Sequence, residues 1–221
     1  MSLRPDGLLD CVQTMVLNGE ADALRARCVA YGPTPDGVDD MGLVLLAAAY
    51  GYVDTLAVLL EYRLDPLADT AAGVFDAPLR LVCGTSCTRP DVAGTQATAQ
   101  EAPVRDYTEV ARMLIAAGAN VHCRDGHGRT PLHLAALDGD FEVAALLAEQ
   151  GARLEEVDCC GRTAMHMAAL QVNVSVVLVL LACGADLTAQ DNTDSTPLDL
   201  AVQHRLPLRI CRLLHRGPGM A

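Results

Sequence analysis

The 221-residue chain contains no lysine and no tryptophan, and aromatic residues make up only 3% of it. All 16 basic residues are arginines, set against 28 acids, which leaves a formal net charge of −12. That balance lacks the basic stripe that phosphate binding requires, so no nucleic-acid partner is expected. With so few aromatics, a core has to be built from Ala, Leu and Val, since apolar residues still reach 51%. Also missing is any Cys-x-x-Cys pair: the nine cysteines are scattered, without the spacing of a disulfide framework or a zinc finger. No signal peptide opens the sequence, so reduced thiols are expected, in a cytoplasmic protein with the nucleus as a further compartment. Two causes for the missing lysines stay open: coding biased toward Ala, Arg, Gly and Val, or work near ubiquitin ligases without an internal acceptor amine.

Catalytic patterns are missing as well. No nucleophile lies beside a base, no glycine loop would cradle a phosphate, and no paired carboxylates stand out. No enzyme, cofactor or metal site is therefore expected. One stretch, Thr163 to Ala185, carries no charge over a length that could span a bilayer. His166, Gln171 and Asn173 interrupt it, so it reads as two buried helices and no membrane association is expected. The acidity is uneven: residues 1 to 76 hold 12 acids and 4 arginines, against 16 and 12 in residues 77 to 221. A partner at the amino-terminal end would be basic.

What is present is a repeat. Asp125-Gly-His-Gly-Arg-Thr-Pro-Leu-His-Leu-Ala-Ala136 lies over Asp158-Cys-Cys-Gly-Arg-Thr-Ala-Met-His-Met-Ala-Ala169 with an offset of 33 residues. The same offset relates Thr130 to Thr163, His133 to His166 and Gly151 to Gly184. A 33-residue period with Thr-Pro-Leu-His-x-Ala and a closing Gly-Ala resembles the ankyrin repeat. The resemblance implies an all-α, ankyrin-repeat solenoid of stacked helix-turn-helix units with short β-hairpin fingers.

Carried along the chain, that register divides residues 1–221 as one repeat domain. A capping unit covers 5–37, with periodic segments at Asp10 to Leu17 and Ala21 to Ala30. A second unit covers 38–68, with Gly42-Leu43-Val44-Leu45 in place of Thr-Pro-Leu-His. The third covers 73–124, where Pro78 to Gly118 is 40 residues against 20 from Pro131 to Gly151. The difference implies an insertion of about 20 residues at about 84–105, either functional or disordered. Units over 125–157 and 158–190 follow, and a carboxy-terminal capping unit covers 191–217, with Leu208 to His215 as its second helix.

The motif residues have local physical roles. Thr130, Thr163 and Thr196 cap first helices, and Pro131 and Pro197 sit where a missing amide costs nothing. Ala135-Ala136 and Ala168-Ala169 allow close helix approach, and Gly118, Gly151 and Gly184 end second helices in the left-handed region. In the resembled family the histidine at 133 and 166 hydrogen-bonds backbone of the adjoining turn, which is the expectation here rather than metal binding. Arg80 and Asp199 stand in its place in neighbouring units. Cys159 and Cys160 fall at an exposed fingertip, while Cys11, Cys83, Cys183 and Cys211 read as small core residues.

The resemblance also implies what binds where. Partners dock along the concave face made by the fingers and the ends of the first helices. The matching positions are Gly126, His127, Arg129, Leu137 and Asp138; Cys159, Cys160, Arg162, Leu170 and Gln171; and Asn192, Thr193, Ser195, Gln203 and His204. Tyr50 takes the place of Asp138 in the second unit, where an aromatic could anchor a partner. The expected function is a monomeric, non-catalytic interaction module or scaffold binding one protein partner. The alternative is a substrate-recognition adaptor of a ubiquitin ligase, because His204 to Arg216 faintly resembles the recruiting boxes that follow some ankyrin arrays. The register weighs against it, since Leu208 to Leu214 falls on a repeat helix.

Val143, Leu146 and Leu147 form the apolar stripe of a second helix. Leu146→Ala is expected to cost about 2–5 kcal/mol in a urea melt, the range for a leucine truncated in a closed core.

Overall fold

The computed structural model describes residues 5–31, 40–63, 76–84 and 106–216, and every regular element among them is a helix. The described helices fall into two compact units, the first holding residues up to 82 with 106–119, the second holding 83–84 with 120–216. Apart from Gly84, the candidate insertion at 84–105 lies outside the described residues.

In the first unit, α1 (Pro5–Asn18) turns into α2 (Ala21–Tyr31), and α3 (Asp40–Tyr50) into α4 (Val53–Arg63). α5 (Asp76–Cys83) and α6 (Tyr107–Ala116) follow. α1 packs on α3, α2 on α4, and α4 on α6. Val12, Val16, Leu24, Ala47, Ala48 and Leu56 close the layer between them.

In the second unit, α7 (Pro131–Asp138) pairs with α8 (Phe141–Glu149), α9 (Ala164–Leu170) with α10 (Val174–Ala182), and α11 (Pro197–Gln203) with α12 (Leu208–Arg216). α9 lies between α7 and α11, and α8 packs on α10. Helices of seven to nine residues are too short to persist alone, so their stability comes from burial. Every residue from Pro131 to Ala136 and from Ala164 to Ala169 is buried, and Val143, Leu146, Leu147, Val176, Val177 and Leu180 fill the second layer. Two positions of that layer change character in α12. Arg209 and Arg212 are exposed, where Val143 and Leu146 are buried 66 residues earlier.

The carboxy-terminal ends of first helices leave carbonyls without intrahelical partners. Three side chains from the following hairpin reach back to them. The Tyr52 hydroxyl donates to Leu17 O at 3.4 Å and the Tyr107 hydroxyl to Ala49 O at 3.3 Å, both in the first unit. In the second unit, Asn173 Nδ2 donates to Ala136 O at 2.8 Å and to Leu137 O at 3.0 Å. The space they cross has to be free of side chains. A Cβ on Gly51 would meet the Tyr107 ring at 3.1 Å, and one on Gly139 would meet Asn173 Oδ1 at 2.8 Å. Both glycines also hold positive φ, +70° and +85°.

That left-handed position recurs with the repeat, but glycine does not. Thirty-three residues after Gly139 stands Val172 at φ 62°, and after it Arg205 at φ 61°. A β-branched residue there is strained.

Two expectations are corrected. The fingers are turns, with no strand among the described residues, because side-chain carboxylates occupy the amides a hairpin ladder would use. Cys183 is exposed rather than a core residue, whereas Cys83 is buried. Cys11 has no described side chain.

The glycine-to-valine change at this position generates a paired expectation. Val172→Gly should raise stability by about 1 kcal/mol, because the strain removed exceeds the added freedom of the unfolded chain and the side chain is already 39% exposed. Gly139→Ala should lower it by more than that, since it adds a collision with Asn173 to the backbone strain. Chemical melts of the two variants beside the parent check both signs.

Candidate interaction surface

Three finger turns in the second unit are built on one plan. Asp125 Oδ1 accepts from His127 N at 2.8 Å and Arg129 N at 2.9 Å. Asp158 Oδ1 does the same with Cys160 N at 2.8 Å and Arg162 N at 2.9 Å. Asp191 Oδ1 takes Thr193 N at 2.8 Å and Ser195 N at 3.0 Å. Backbone closes each turn, through Asp125 N to Arg129 O, Asp158 N to Arg162 O and Asp191 N to Ser195 O, all at 3.0 Å. Aspartate is the residue for this task because its short carboxylate reaches amides two and four positions ahead.

Successive fingers are hydrogen-bonded to one another. Cys159 N donates to His127 O at 3.0 Å, Asn192 N to Cys160 O at 2.9 Å, and Asn192 Nδ2 to Cys159 O at 3.2 Å. Arg124 adds a clamp that sequence reasoning missed, donating to Gly128 O at 2.8 Å and Val157 O at 2.7 Å while pairing with Glu156.

The motif histidines join fingers to helices. Thr130 N donates to His133 Nδ1 at 3.2 Å, so that nitrogen is an acceptor, and Nε2 must carry the hydrogen that it gives to Arg162 O at 2.8 Å. His166 repeats this with Thr163 N at 3.1 Å and Ser195 O at 3.1 Å. Burial holds both imidazoles below their ordinary pKa, and the carbonyls of Arg162 and Ser195 offset it only in part. Burial pushes the Asp125, Asp158 and Asp191 carboxyls up, but the hydrogen bonds they accept outweigh it and hold all three below the usual range.

The candidate residues fall into two rows. His127, Cys159, Cys160, Asn192 and Thr193 are exposed on the fingers. Gln171, Gln203 and His204 are exposed at or just beyond the carboxy-terminal ends of α9 and α11, with Leu170 half-buried at the end of α9 and Leu137 and Asp138 half-buried at the end of α7. Between the rows run the first helices, about 12 Å long for eight residues, and their middles are buried.

Arg129 and Arg162 differ from the other finger candidates. Arg129 Nε donates to Asp125 Oδ2 at 2.8 Å, and Arg162 Nη2 to Asp158 Oδ2 at 2.9 Å. Each guanidinium completes its own finger, so reversing its charge would disturb the turn as well as any contact. Tyr50, in the first unit, is half-buried and stacked on Tyr52 with ring centroids 5.6 Å apart. Exposed Phe141 and Val172 were also missed.

No helix among the described residues is long and apolar enough to cross a membrane. A family model described as ankyrin repeats, in three copies, matches residues 99–191. A search of curated proteins finds no match for the chain.

The histidine geometry predicts an acid-sensitive step. An unfolded imidazole titrates near about 6.5, so below that pH the unfolded chain binds protons that folded His133 and His166 refuse. Their contribution is complete above that pH and is lost as pH falls through it toward the lower folded values. The finger carboxylates, depressed below the ordinary range, do not contribute in this window. Urea midpoints measured from pH 7.5 to 5 should decline, and a His133→Gln, His166→Gln double variant should decline less steeply.

Proposed function

The chain is an ankyrin-repeat protein, its repeats recognised over residues 99–191, and on that premise we propose that it is a non-catalytic interaction module binding one protein partner through its finger row. Ankyrin repeats mark protein–protein interaction modules, and the family is typically non-catalytic. What supports the finger row is the state of its backbone. The amides of His127, Cys160 and Thr193 are already bonded to aspartates, while their side chains face solvent. A partner meets a preformed surface and does not have to order it, which lowers the entropic cost of association.

The six-unit division, from a cap at 5–37 to a cap at 191–217, belongs to the same proposal, as do the scaffold role, the monomeric state and a cytoplasmic or nuclear location. The ligase-adaptor alternative gains no support from α12, where Ile210 and Leu214 are buried instead of being offered to a recruiting subunit.

Affinity capture with the full chain, followed by calorimetry with the captured partner, tests the assignment. His127→Ala with Asn192→Ala should weaken binding at least tenfold, or about 1.4 kcal/mol. The melting temperature should move by less than about 2 °C. Gln171→Ala with His204→Ala should leave binding near the parent value. The opposite pattern would move the interface to the helix ends and sink the finger assignment.

A further inference from the structure

We propose that Cys159 and Cys160 form a bidentate thiolate site for a soft or borderline divalent cation of the zinc and cadmium kind, at the tip of the second finger. The absence of any Cys-x-x-Cys pair argued against metal when the sequence was read alone. The structure changes that by showing how the neighbouring thiols are held.

Their Sγ atoms lie 3.9 Å apart, and both residues are exposed. Two sulfurs at about 2.3 Å from a tetrahedral zinc ion are separated by about 3.8 Å. The thiols thus already stand at the edge length such an ion requires. Their backbone is fixed on both sides: Cys159 N is bonded to His127 O, Cys160 N to Asp158 Oδ1, and the carbonyls of Cys159 and Cys160 accept from Asn192. Chelation leaves every one of these bonds in place.

Closing the pair as a disulfide would not. Adjacent Cα atoms are about 3.8 Å apart across a trans peptide, short of the roughly 4.4–6.8 Å that unstrained disulfides span. Ring formation would have to twist the Cys159–Cys160 peptide, whose carbonyl Asn192 Nδ2 holds. The fold therefore favours the dithiol form, which is the form a soft cation binds.

A carboxylate lies close to both thiols: one oxygen of Asp158 and the two sulfurs fall within 4.8 Å of one another. It is not free to serve as a third ligand. Oδ1 holds two amides and Oδ2 holds the Arg162 guanidinium. The remaining coordination positions face solvent, on the finger row. Mutual hydrogen bonding with Cys160 keeps the Cys159 thiol protonated above its ordinary range, so a cation has to displace protons. Binding forms two metal–sulfur bonds and releases two protons, with no change of oxidation state.

Cadmium(II) alone is a suitable probe, added to the full chain after reduction and chelator stripping. The near-ultraviolet sulfur-to-cadmium band, metal content by elemental analysis and thiol alkylation read by peptide mass report on it together. The parent should bind one more equivalent than a C159S/C160S double variant, and each single serine variant should bind at least tenfold more weakly. Uptake should weaken as pH falls from 7.5 to 6, and bound cadmium should shield Cys159 and Cys160 from alkylation. Equal uptake by parent and double variant would assign binding to the other cysteines and overturn the proposal, and so would alkylation of the pair undiminished by cadmium. The melting temperature of each serine variant should match the parent, because both side chains lie outside the core.

Discussion

His133 carries two bonds that work only if its ring is neutral and in one tautomer. Nδ1 accepts the Thr130 amide, an orphan donor at the start of α7, and Nε2 donates to the Arg162 carbonyl in the next finger. A charged imidazole would turn Nδ1 into a donor facing another donor. Burial enforces the neutral form, with 1% of the residue exposed at His133 and none at His166. A single side chain thereby satisfies a helix start and fixes the neighbouring turn. Asp199 stands at the third such place and does only the first task, since it accepts from Thr196 N at 2.9 Å and is exposed.

The opposite end of α7 is held by the same neighbour. Asn173, from the turn after α9, donates to Ala136 O and Leu137 O. α7 is thus tied to the following hairpin at its first amide, through His133, and at its last carbonyls, through Asn173. An eight-residue helix with six consecutive buried residues, Pro131 to Ala136, needs such fastening because it cannot turn its polar ends to water. In the first unit Tyr52 and Tyr107 serve the same carbonyls with a phenol instead of an amide. There the histidine bridge has no counterpart: residue 45 is leucine and residue 80 is arginine.

Much of this was legible in the sequence, because the 33-residue offset repeats the residues that make the bonds. Thr130, His133 and Asp125 recur as Thr163, His166 and Asp158, and their hydrogen bonds recur with them. Proline at the first helical position and glycine after the second helix also came out where their backbone preferences put them. The sequence was silent where one residue type serves two ends. Arg129 and Arg162 sit at positions where the resemblance alone implies partner contact, but the aspartate four residues back takes their guanidinium groups. Asn173 looked like a polar interruption in an apolar run, because its partners lie 36 and 37 residues earlier and no local pattern connects them. The strain at Val172 was equally hidden, since the 33-residue offset marks the left-handed place but not what occupies it.

The internal pairing of Asp125 with Arg129, Asp158 with Arg162 and Arg124 with Glu156 has a consequence for recognition. It leaves two fingers presenting His127 and two thiols, while the third, with Ser195 where the others carry arginine, keeps an exposed carboxylate, Asp194, beside Asn192 and Thr193. Contacts made at His127 and the two thiols are short-ranged hydrogen bonds and van der Waals packing, which salt scarcely screens. Long-range attraction comes from the exposed acids of the chain, Asp194 among them, and that charge sets the encounter rate rather than the fit. On the first two fingers fit and steering thus fall to different residues, because their aspartates and arginines are already paired in building the turns that present the row.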